Sequence, residues 1–338
     1  MSMERNRRFV LAARPDGVPK IDDFRMVEEP VPVPGPGQIL VRNLYLSVDP
    51  AIRGWLDDKE SYFPPIPIGG VIKSMTVARV IQSNNPDYAV GDHVSGLAAW
   101  EDYSVLGDAT MLTKLPTDLD VPLSYFLTVL SPTGITAHIG VTEIARAEAG
   151  ETFVISAAAG AVGTIAGQIA KIRGCRVIGI AGSDEKCRWL QQELGFDGAV
   201  NYRTATDLGG EIGKLCPEGV DIYFDNVGGA ILDEMLLQMK FHGRIVVCGM
   251  IADYNAGDAP YGVRNLWQLV VKRLSMRGFL TPDHGDCFPR AYADIAQWLR
   301  EGRIKVAEDV TTGFENTPRA FLRLFSGENI GKAIVSIA

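Results

Sequence analysis

The sequence predicts an α/β protein that combines a doubly wound parallel sheet with a second, β-rich domain. Residues 1–130 contain short segments of strand composition separated by turns rich in Pro and Gly, as in a barrel-like domain. From Ser131 onwards strands alternate with helical segments, which predicts βαβ units and a parallel sheet. The last apolar run, Lys332 to Ile337, is a further strand that we expect to return to the first domain.

The length sets the expected domain layout. At 338 residues the chain favours two domains of roughly 100–200 residues each. We predict that residues 1–130 and 301–338 form the β-rich domain and that residues 131–300 form the parallel-sheet domain. In the latter, the predicted strands are Thr152–Ser156, Cys175–Ala181, Val220–Asp225 and Gly243–Cys248, and the predicted helices run over Gly163–Arg173, Asp184–Glu193 and Ile231–Met239.

Charge and cysteine content narrow the class of protein. The net charge of −8 argues against a nucleic-acid or anionic-membrane partner. No stretch approaches the ~20 apolar residues that a membrane span needs. The five cysteines are widely spaced and form no C-x-x-C pair, so we expect free thiols and a cytoplasmic location.

The most specific motif is the run Ala158-Ala159-Gly160-Ala161-Val162-Gly163, between a predicted strand and a predicted helix. It fits G-x-G-x-x-G with alanine in place of the first glycine. Gly160 would let the backbone approach a pyrophosphate, and Gly163 would let the helix pack closely on its strand. The helix N-terminus would attract the phosphates. The motif therefore predicts a dinucleotide-binding domain of the Rossmann type, and the alternative is a turn kept for packing alone.

The segment after the second strand of this domain indicates which dinucleotide would bind. NAD enzymes usually carry an acid at that tip for the ribose 2′-hydroxyl, whereas here the strand runs into Gly182 and Ser183. Asp184 and Glu185 suit the first turn of a helix, and Lys186 follows them. An ammonium group beside small residues suits a 2′-phosphate, so we predict NADP(H). The alternative is that Lys186 is a solvated surface lysine.

Zinc ligands are scarce in the first domain. Its first 130 residues contain no cysteine, and His93 is their only histidine. A catalytic zinc site usually takes three His, Cys or acidic ligands. We therefore predict no metal site, and we expect His93 to shape a turn.

Several ordered segments resemble the medium-chain dehydrogenase/reductase superfamily. More narrowly, they resemble its zinc-free branch of leukotriene B4 dehydrogenases, prostaglandin reductases, plant alkenal reductases and bacterial curcumin reductases. Apart from the glycine-rich turn, the matching segments are Ser47-Val48-Asp49-Pro50, Gly182-Ser183-Asp184-Glu185-Lys186, Asn201-Tyr202, Phe224-Asp225-Asn226-Val227-Gly228-Gly229 and Cys248-Gly249. The resemblance covers nearly the whole chain, and it implies a GroES-like β-rich domain, a Rossmann domain and a homodimer.

The resemblance also implies NADP(H) and the residues that would hold it. By position these are Gly160, Ala161, Val162 and Gly163 at the pyrophosphate, Lys186 and Tyr202 at the adenosine 2′-phosphate, Asn226, the loop residues Cys248, Gly249, Met250, Ile251 and Tyr254, the nicotinamide-flanking Phe279, Leu280 and Thr281, and Asn329. Three positions depart from the family pattern. Val271 and His138 stand where tyrosines are common, and Ala252 replaces the usual polar residue, so we expect an altered substrate pocket.

The activity that the resemblance implies is reduction of the carbon–carbon double bond of an α,β-unsaturated aldehyde or ketone. NADPH would deliver hydride to the β-carbon and leave an enolate on the oxygen. Without zinc, a hydroxyl must stabilise that oxyanion, from a tyrosine or from the cofactor's ribose. Tyr254 is the first candidate, and Tyr62 and Tyr261 are the next two; the alternative for each is an aromatic wall residue.

The sequence alone is compatible with three other functions. The chain resembles quinone oxidoreductases of the same superfamily, which differ in the electron acceptor and not in the cofactor. A non-catalytic NADPH-binding protein of the crystallin kind would carry the same turn. A zinc alcohol dehydrogenase fits less well, because its ligands are missing from the first domain.

Overall fold

The computed structural model describes residues 5–257 and 259–337, which divide into two compact units. The first unit contains residues 5–127, 308–328 and 333–337, and the second contains residues 128–257, 259–307 and 329–332. The division thus falls at 127/128 and 307/308, where the sequence predicted 130/131 and 300/301. Residues 329–332 lie with the second unit, which the sequence did not predict.

The elements are numbered in chain order within the described residues. The strands are β1 (Arg5–Leu11), β2 (Phe24–Pro30), β3 (Ile39–Ser47), β4 (Lys73–Ser83), β5 (His93–Ala99), β6 (Tyr103–Leu106), β7 (Thr113–Lys114), β8 (Thr152–Ile155), β9 (Arg176–Ala181), β10 (Gly198–Asn201), β11 (Val220–Asp225), β12 (Met239–Val247), β13 (Ser275–Gly278), β14 (Glu308–Thr312) and β15 (Lys332–Ser336). The α-helices are α1 (Ile52–Trp55), α2 (Pro132–Ile139), α3 (Ala161–Ile172), α4 (Asp184–Leu194), α5 (Leu208–Leu215), α6 (Gly229–Gln238), α7 (Gln268–Val271), α8 (Phe288–Arg300) and α9 (Thr317–Ser326).

The first unit is built on antiparallel strands. Its larger sheet has the order β14-β15-β3-β4-β5-β7, and β6 pairs with β3 as well. β3 is long enough to pair with β4 along its length while β6 covers its first half and β15 its last residues. β1 and β2 form a separate antiparallel pair, with Leu11 opposite Phe24.

An aromatic cluster forms the centre of the first unit's core. Trp100 is fully buried, and its ring lies 5.5 Å from that of Phe24, 5.7 Å from that of Phe321 and 6.4 Å from that of Phe9 (centroid distances). Phe321 comes from α9, so the segment after residue 308 completes a core that the first strands begin. Each aromatic ring buries a large apolar area, so this cluster contributes strongly to the stability of the core.

The second unit is a parallel sheet with the order β10-β9-β8-β11-β12-β13. This order starts at β8, runs outward through β9 and β10, and then resumes on the other side of β8 with β11, as in a doubly wound Rossmann fold. The predicted fold class is confirmed. Ligands of such sheets bind at the carboxyl ends of the strands, where the strand order reverses. A ligand site is therefore expected at the ends of β8 and β11.

The predicted boundaries between the helix and the strand around Met239 were wrong. The helix predicted over Ile231–Met239 begins earlier, at Gly229, and ends at Gln238. The strand predicted from Gly243 begins at Met239, because Met239 already pairs with Val220 before an irregularity in the register. Met239 is buried, so the helical apolar pattern continued into a residue that belongs to the next strand.

Among the described residues, no helix has the length and apolar character to cross a membrane.

Candidate active site

The glycine-rich turn joins β8 to α3 and leaves no room for larger residues. A Cβ atom on Gly163 would overlap the carbonyl oxygen of Ala157 and lie 2.8 Å from that of Ala158. The turn is also strained, because Ala157 has a φ of 46°, in a region that costs a residue with a side chain roughly 1–3 kcal/mol. Close contact between the first turn of the helix and the turn that precedes it is therefore the reason for glycine at position 163.

The N-terminus of α3 is suited to an anion. Gly160 is its N-cap residue and offers no side-chain acceptor to the first-turn amides, and Ala161 and Val162 begin the helix. Unpaired amides and the positive end of the helix dipole attract phosphate at such a terminus. Because its N-cap is a glycine without a side-chain acceptor, the turn fits a dinucleotide pyrophosphate.

Residues 329–332 pair with the backbone of the glycine-rich turn. The Gly331 amide donates to the Ala159 carbonyl at 2.7 Å, and Gly331 forms a parallel bridge with Gly160. The Asn329 side chain donates to the Gly331 carbonyl at 2.9 Å, which fixes this segment locally. Asn329 is thereby placed beside the turn although it lies far away in the sequence.

Ser156 and Asp225 join the ends of β8 and β11. The Ser156 hydroxyl donates to Asp225 Oδ1 at 2.9 Å, and the Asn226 amide donates to the same hydroxyl at 2.8 Å. The Asn226 side chain donates to the Ser156 carbonyl at 2.8 Å. Burial raises the pKa of Asp225, and hydrogen bonds from Gly228, among others, oppose that rise. Ser156 and Asp225 were missed in the sequence, where only their places directly before the motif residues marked them.

The loop after β12 folds onto the segment after β11. The amides of Cys248 and Gly249 both donate to the Asp225 carbonyl, and the Ile251 amide donates to the Asn226 carbonyl. A Cβ atom on Gly228 would lie 3.0 Å from the end of the Met250 side chain. Burial raises the pKa of the Cys248 thiol to about 12, so this thiol is neutral at physiological pH.

Tyr254 lies over the ends of β11 and β12. A Cβ atom on Gly249 would be 3.3 Å from the Tyr254 hydroxyl and 3.5 Å from the Asn226 carbonyl oxygen. The side chain is half-buried. The structure therefore brings the hydroxyl of the first catalytic candidate to the residues predicted to hold the cofactor.

The other two tyrosine candidates have different surroundings. The Tyr261 hydroxyl donates to Asp233 Oδ2 at 3.1 Å, and Asp233 also accepts from the amides of Arg264 and Asn265. Tyr261 thus takes part in fixing the chain onto α6. Tyr62 lies in the first unit, where its side chain is 59% exposed.

The segment Phe279–Thr281 follows β13 and is held by α2. The Thr136 and Thr281 hydroxyls are 2.5 Å apart. A Cβ atom on Gly140, at the end of α2, would be 3.2 Å from the Phe279 ring. Leu280 points outward and is 38% exposed. This contact with α2 could not be read from local sequence, because Thr136 and Thr281 are widely separated along the chain.

Lys186 and Tyr202 lie at neighbouring strand ends. β9 and β10 are parallel with Ala181 opposite Asn201, and the Tyr202 amide continues the ladder by donating to the Ala181 carbonyl at 3.1 Å. Lys186 lies in the first turn of α4, whose N-cap Ser183 accepts from the Lys186 amide. Lys186 therefore follows the tip of β9, at which the sequence predicted a 2′-phosphate site, and Tyr202 follows the adjacent tip of β10.

The three departures from the family pattern lie in different environments. Val271 is 41% exposed at the end of α7, and Ala252 is exposed in the loop after β12. His138 is buried, and its Nε2 lies 2.8 Å from Asp294 Oδ2 of α8. Burial lowers the pKa of His138, although Asp294 acts in the opposite direction. His138 therefore belongs to the contact between α2 and α8.

Within residues 5–257 and 259–337, no group of three or more His, Cys, Asp or Glu side chains is arranged to hold a metal ion.

We expect Gly163→Ala to disrupt the turn. The added methyl group would overlap the Ala157 carbonyl, and overpacking of this kind costs about 1–3 kcal/mol. The melting temperature should fall, and binding of a dinucleotide, followed by protein fluorescence, should weaken at least about 10-fold. Gly213→Ala in α5 is the matched control, since its Cβ would meet only the Gln238 side chain at an ordinary 3.5 Å. Equal behaviour of the two variants would contradict the assigned role.

Comparison with known proteins identifies the family. Residues 7–115 match the family described as N-terminal domain of oxidoreductase, and residues 161–299 match the family described as zinc-binding dehydrogenase. The chain is 42% identical to the NADPH-dependent curcumin reductase of Escherichia coli, over 99% of this chain and 98% of that protein. It is 41% identical to the NADP-dependent 2-alkenal reductase of Nicotiana tabacum, over 98% of each chain.

Solved structures agree with the sequence comparison. The crystal structure of CurA from Vibrio vulnificus in complex with NADPH is 39% identical to this chain and superimposes with a TM-score of 0.93, over 98% of this chain and 99% of that one. A quinone oxidoreductase from Pseudomonas syringae, at 21% identity and a TM-score of 0.79, shares the fold. The chain therefore belongs to the medium-chain dehydrogenase/reductase family, in the branch that contains the curcumin, alkenal and prostaglandin reductases.

Proposed function

We propose that this chain is an NADPH-dependent reductase of carbon–carbon double bonds conjugated to an aldehyde or ketone. The observation that carries the proposal is the junction of a glycine-rich turn, the Asn226 segment and the Tyr254 loop at the switch point of the sheet. Relatives that match between 89% and 99% of this chain in sequence are named for curcumin, 2-alkenal and pulegone reduction. These substrates share a carbonyl conjugated to a double bond.

The residues of the second unit fit NADPH. The N-terminus of α3 would hold the pyrophosphate, and Lys186 and Tyr202 would hold the 2′-phosphate. The remaining parts of the cofactor would lie against Asn226, the 248–251 loop and Phe279–Thr281. When bound, the cofactor supplies a hydride to the β-carbon of the substrate. The protein's contribution is to orient the two molecules and to stabilise the negative charge that develops on the carbonyl oxygen.

Tyr254 is the protein group that we propose for that oxygen. Its hydroxyl lies beside Gly249 and the Asn226 carbonyl, at the residues assigned to the cofactor. A phenol donates a hydrogen bond without needing to lose its proton, which suits an enolate oxygen at neutral pH. Tyr261 is a weaker candidate because its hydroxyl is engaged by Asp233. Tyr62 stays a prediction.

We propose that the reaction is independent of zinc. The described residues offer no cluster of three metal ligands, and the first 130 residues contain no cysteine. A hydroxyl donor would then replace the Lewis acid at the carbonyl oxygen. Activity should survive prolonged treatment with a chelator, and loss of activity that is restored by zinc would contradict this proposal.

The test of the proposed function is NADPH oxidation with a panel of enals, enones, quinones and saturated aldehydes. We expect turnover with enals and enones, a saturated product on analysis by mass spectrometry, and a lower rate with NADH. Turnover confined to quinones would make the chain a quinone oxidoreductase. NADPH binding without turnover on any acceptor would indicate a binding protein.

Tyr254→Phe tests the oxyanion role within that reaction. Loss of one oxyanion donor costs about 10²–10³-fold in kcat in other enzymes. Since the cofactor's ribose hydroxyl would also stabilise the oxyanion, we expect a decrease in kcat of about 10-fold or more. Tyr261→Phe is the matched control and should leave kcat unchanged, because its hydroxyl bonds to Asp233. If Tyr254→Phe changes only KM, Tyr254 lines the substrate pocket and does not stabilise the oxyanion.

We also propose a homodimer formed through the β13 edge of the second unit. β13 ends the strand order in the described part of the sheet, so its outer edge is available for pairing. Trp267 and Val270 nearby are 67% and 60% exposed, and exposed apolar residues beside a strand edge favour a symmetric contact with a second copy.

Light scattering should give twice the chain mass for this dimer. Val270→Asp should shift the protein toward the monomer, because it buries a charge in the contact. Val90→Asp, on a similarly exposed valine of the first unit, should not. A monomeric wild type would contradict the assembly.

A cytoplasmic location is the remaining proposal. All five cysteines are free thiols, as expected in a reducing compartment. Cell fractionation tests it, and recovery in an oxidising compartment would contradict it.

A further inference from the structure

An arginine lies at the end of β10 beside the tyrosine assigned to the 2′-phosphate. Arg203 follows Tyr202, and its Nε lies 3.4 Å from the Tyr202 hydroxyl. The Arg203 guanidinium carbon is 5.8 Å from the centre of the Tyr202 ring. Both side chains are exposed, so a ligand can reach them from solvent.

Gly182 shows where these two side chains point. A Cβ atom on Gly182 would lie 3.3 Å from Arg203 Nε and 3.4 Å from the Tyr202 hydroxyl. Gly182 comes directly after β9 and directly before Ser183, the N-cap of α4. The guanidinium and the phenol therefore face the strand tip at which the helix carrying Lys186 begins, and glycine at position 182 lets both side chains lie close against that tip.

Asn201 links Arg203 to the acidic first turn of α4. Its side-chain oxygen accepts from the Arg203 amide at 3.1 Å, and its side-chain nitrogen donates to Asp184 Oδ1 at 2.8 Å. One amide thus fixes the backbone of Arg203 and engages a carboxylate next to the strand tip. A carboxylate at such a tip repels a phosphate and selects a ribose 2′-hydroxyl.

We propose that Arg203 is a second phosphate-binding cation for NADPH, presented by Asn201, in addition to Lys186 and Tyr202. The inference rests on the proposed NADPH dependence and names a further residue that selects this cofactor over NADH. The 2′-phosphate is the only group that distinguishes the two cofactors, and a guanidinium binds it through charge-assisted hydrogen bonds. Because Arg203 is exposed, its contribution should decrease as salt increases.

The test is the dissociation constant of NADPH and of NADH, measured by fluorescence titration at about 0.05 M and about 0.3 M salt. Arg203→Ala should raise the Kd for NADPH about 5- to 10-fold at low salt and leave that for NADH unchanged. The variant's NADPH affinity should depend less on salt than that of the wild type. Arg203→Lys should keep part of the affinity, since it keeps the charge and loses the planar fork.

Two further variants separate the role of Arg203 from general effects. Arg300→Ala removes an equally exposed arginine from the last turn of α8 and should change neither constant. Asn201→Ala should weaken NADPH and spare NADH, and adding Asp184→Asn should recover part of the NADPH affinity. That recovery should exceed the gain from Asp184→Asn in the otherwise unchanged protein, and equal gains in the two backgrounds would mean that Asn201 does not act through Asp184.

The outcomes distinguish this inference from the cofactor assignment. If the wild type prefers NADPH and Arg203→Ala leaves its Kd unchanged, Arg203 is not in the subsite and the cofactor assignment stands. If Arg203→Ala weakens both cofactors equally, its role is structural and the proposal is overturned. If the wild type binds NADH as tightly as NADPH, the cofactor assignment and the proposal are overturned together.

Discussion

Asp225 is the residue on which the candidate site most depends. It is fully buried at the end of β11, where the strand order of the sheet reverses. Its Oδ1 accepts from the Ser156 and Tyr223 hydroxyls and from the amides of Val227 and Gly228. Burying a carboxyl group is costly, and these four hydrogen bonds, all to Oδ1, offset part of that cost. The same bonds fix the two strand ends and the segment after β11.

The rest of the site is built outward from this junction. Ser156 leads into the glycine-rich turn, and Asn226 accepts from the loop that carries Tyr254. Residues 329–332 fix the backbone of the turn through the hydrogen bond and the bridge that Gly331 forms with it. Backbone amides, a helix N-terminus and hydroxyls form this surface, and they are groups that stabilise negative charge without titrating near neutral pH. Such a surface suits a reaction in which hydride is transferred and an oxyanion develops.

The sequence predicted what depends on local pattern. Gly160 and Gly163 follow from strand–turn–helix spacing, and the parallel sheet follows from the alternation of strands and helices. Contacts between segments that are far apart in the sequence have no local sequence pattern that would predict them. The pairing of Gly331 with the turn and the placement of Thr136 beside Thr281 depend on the tertiary fold. The start of β12 was missed because Met239 continues the apolar pattern of α6.

The roles of Arg203 and His138 could not be predicted from the sequence for the same reason. Arg203 looks like an ordinary surface arginine in the sequence, and only the parallel pairing of β9 with β10 brings it to the tip at Gly182. His138 was expected to alter the substrate pocket, yet it is buried against Asp294 and Trp298 in helix packing. In each case the partner that decides the role comes from a neighbouring strand or helix.

The measurement that tests the central claim most directly is the fate of deuterium from NADPH labelled at the nicotinamide C4 position. With an enone as substrate, the account predicts a saturated ketone that carries deuterium at the former β-carbon, seen by NMR, with the proton at the α-carbon coming from solvent. Deuterium at the carbonyl carbon of an alcohol product would contradict it, because the oxygen would then be reduced instead of stabilised as an oxyanion.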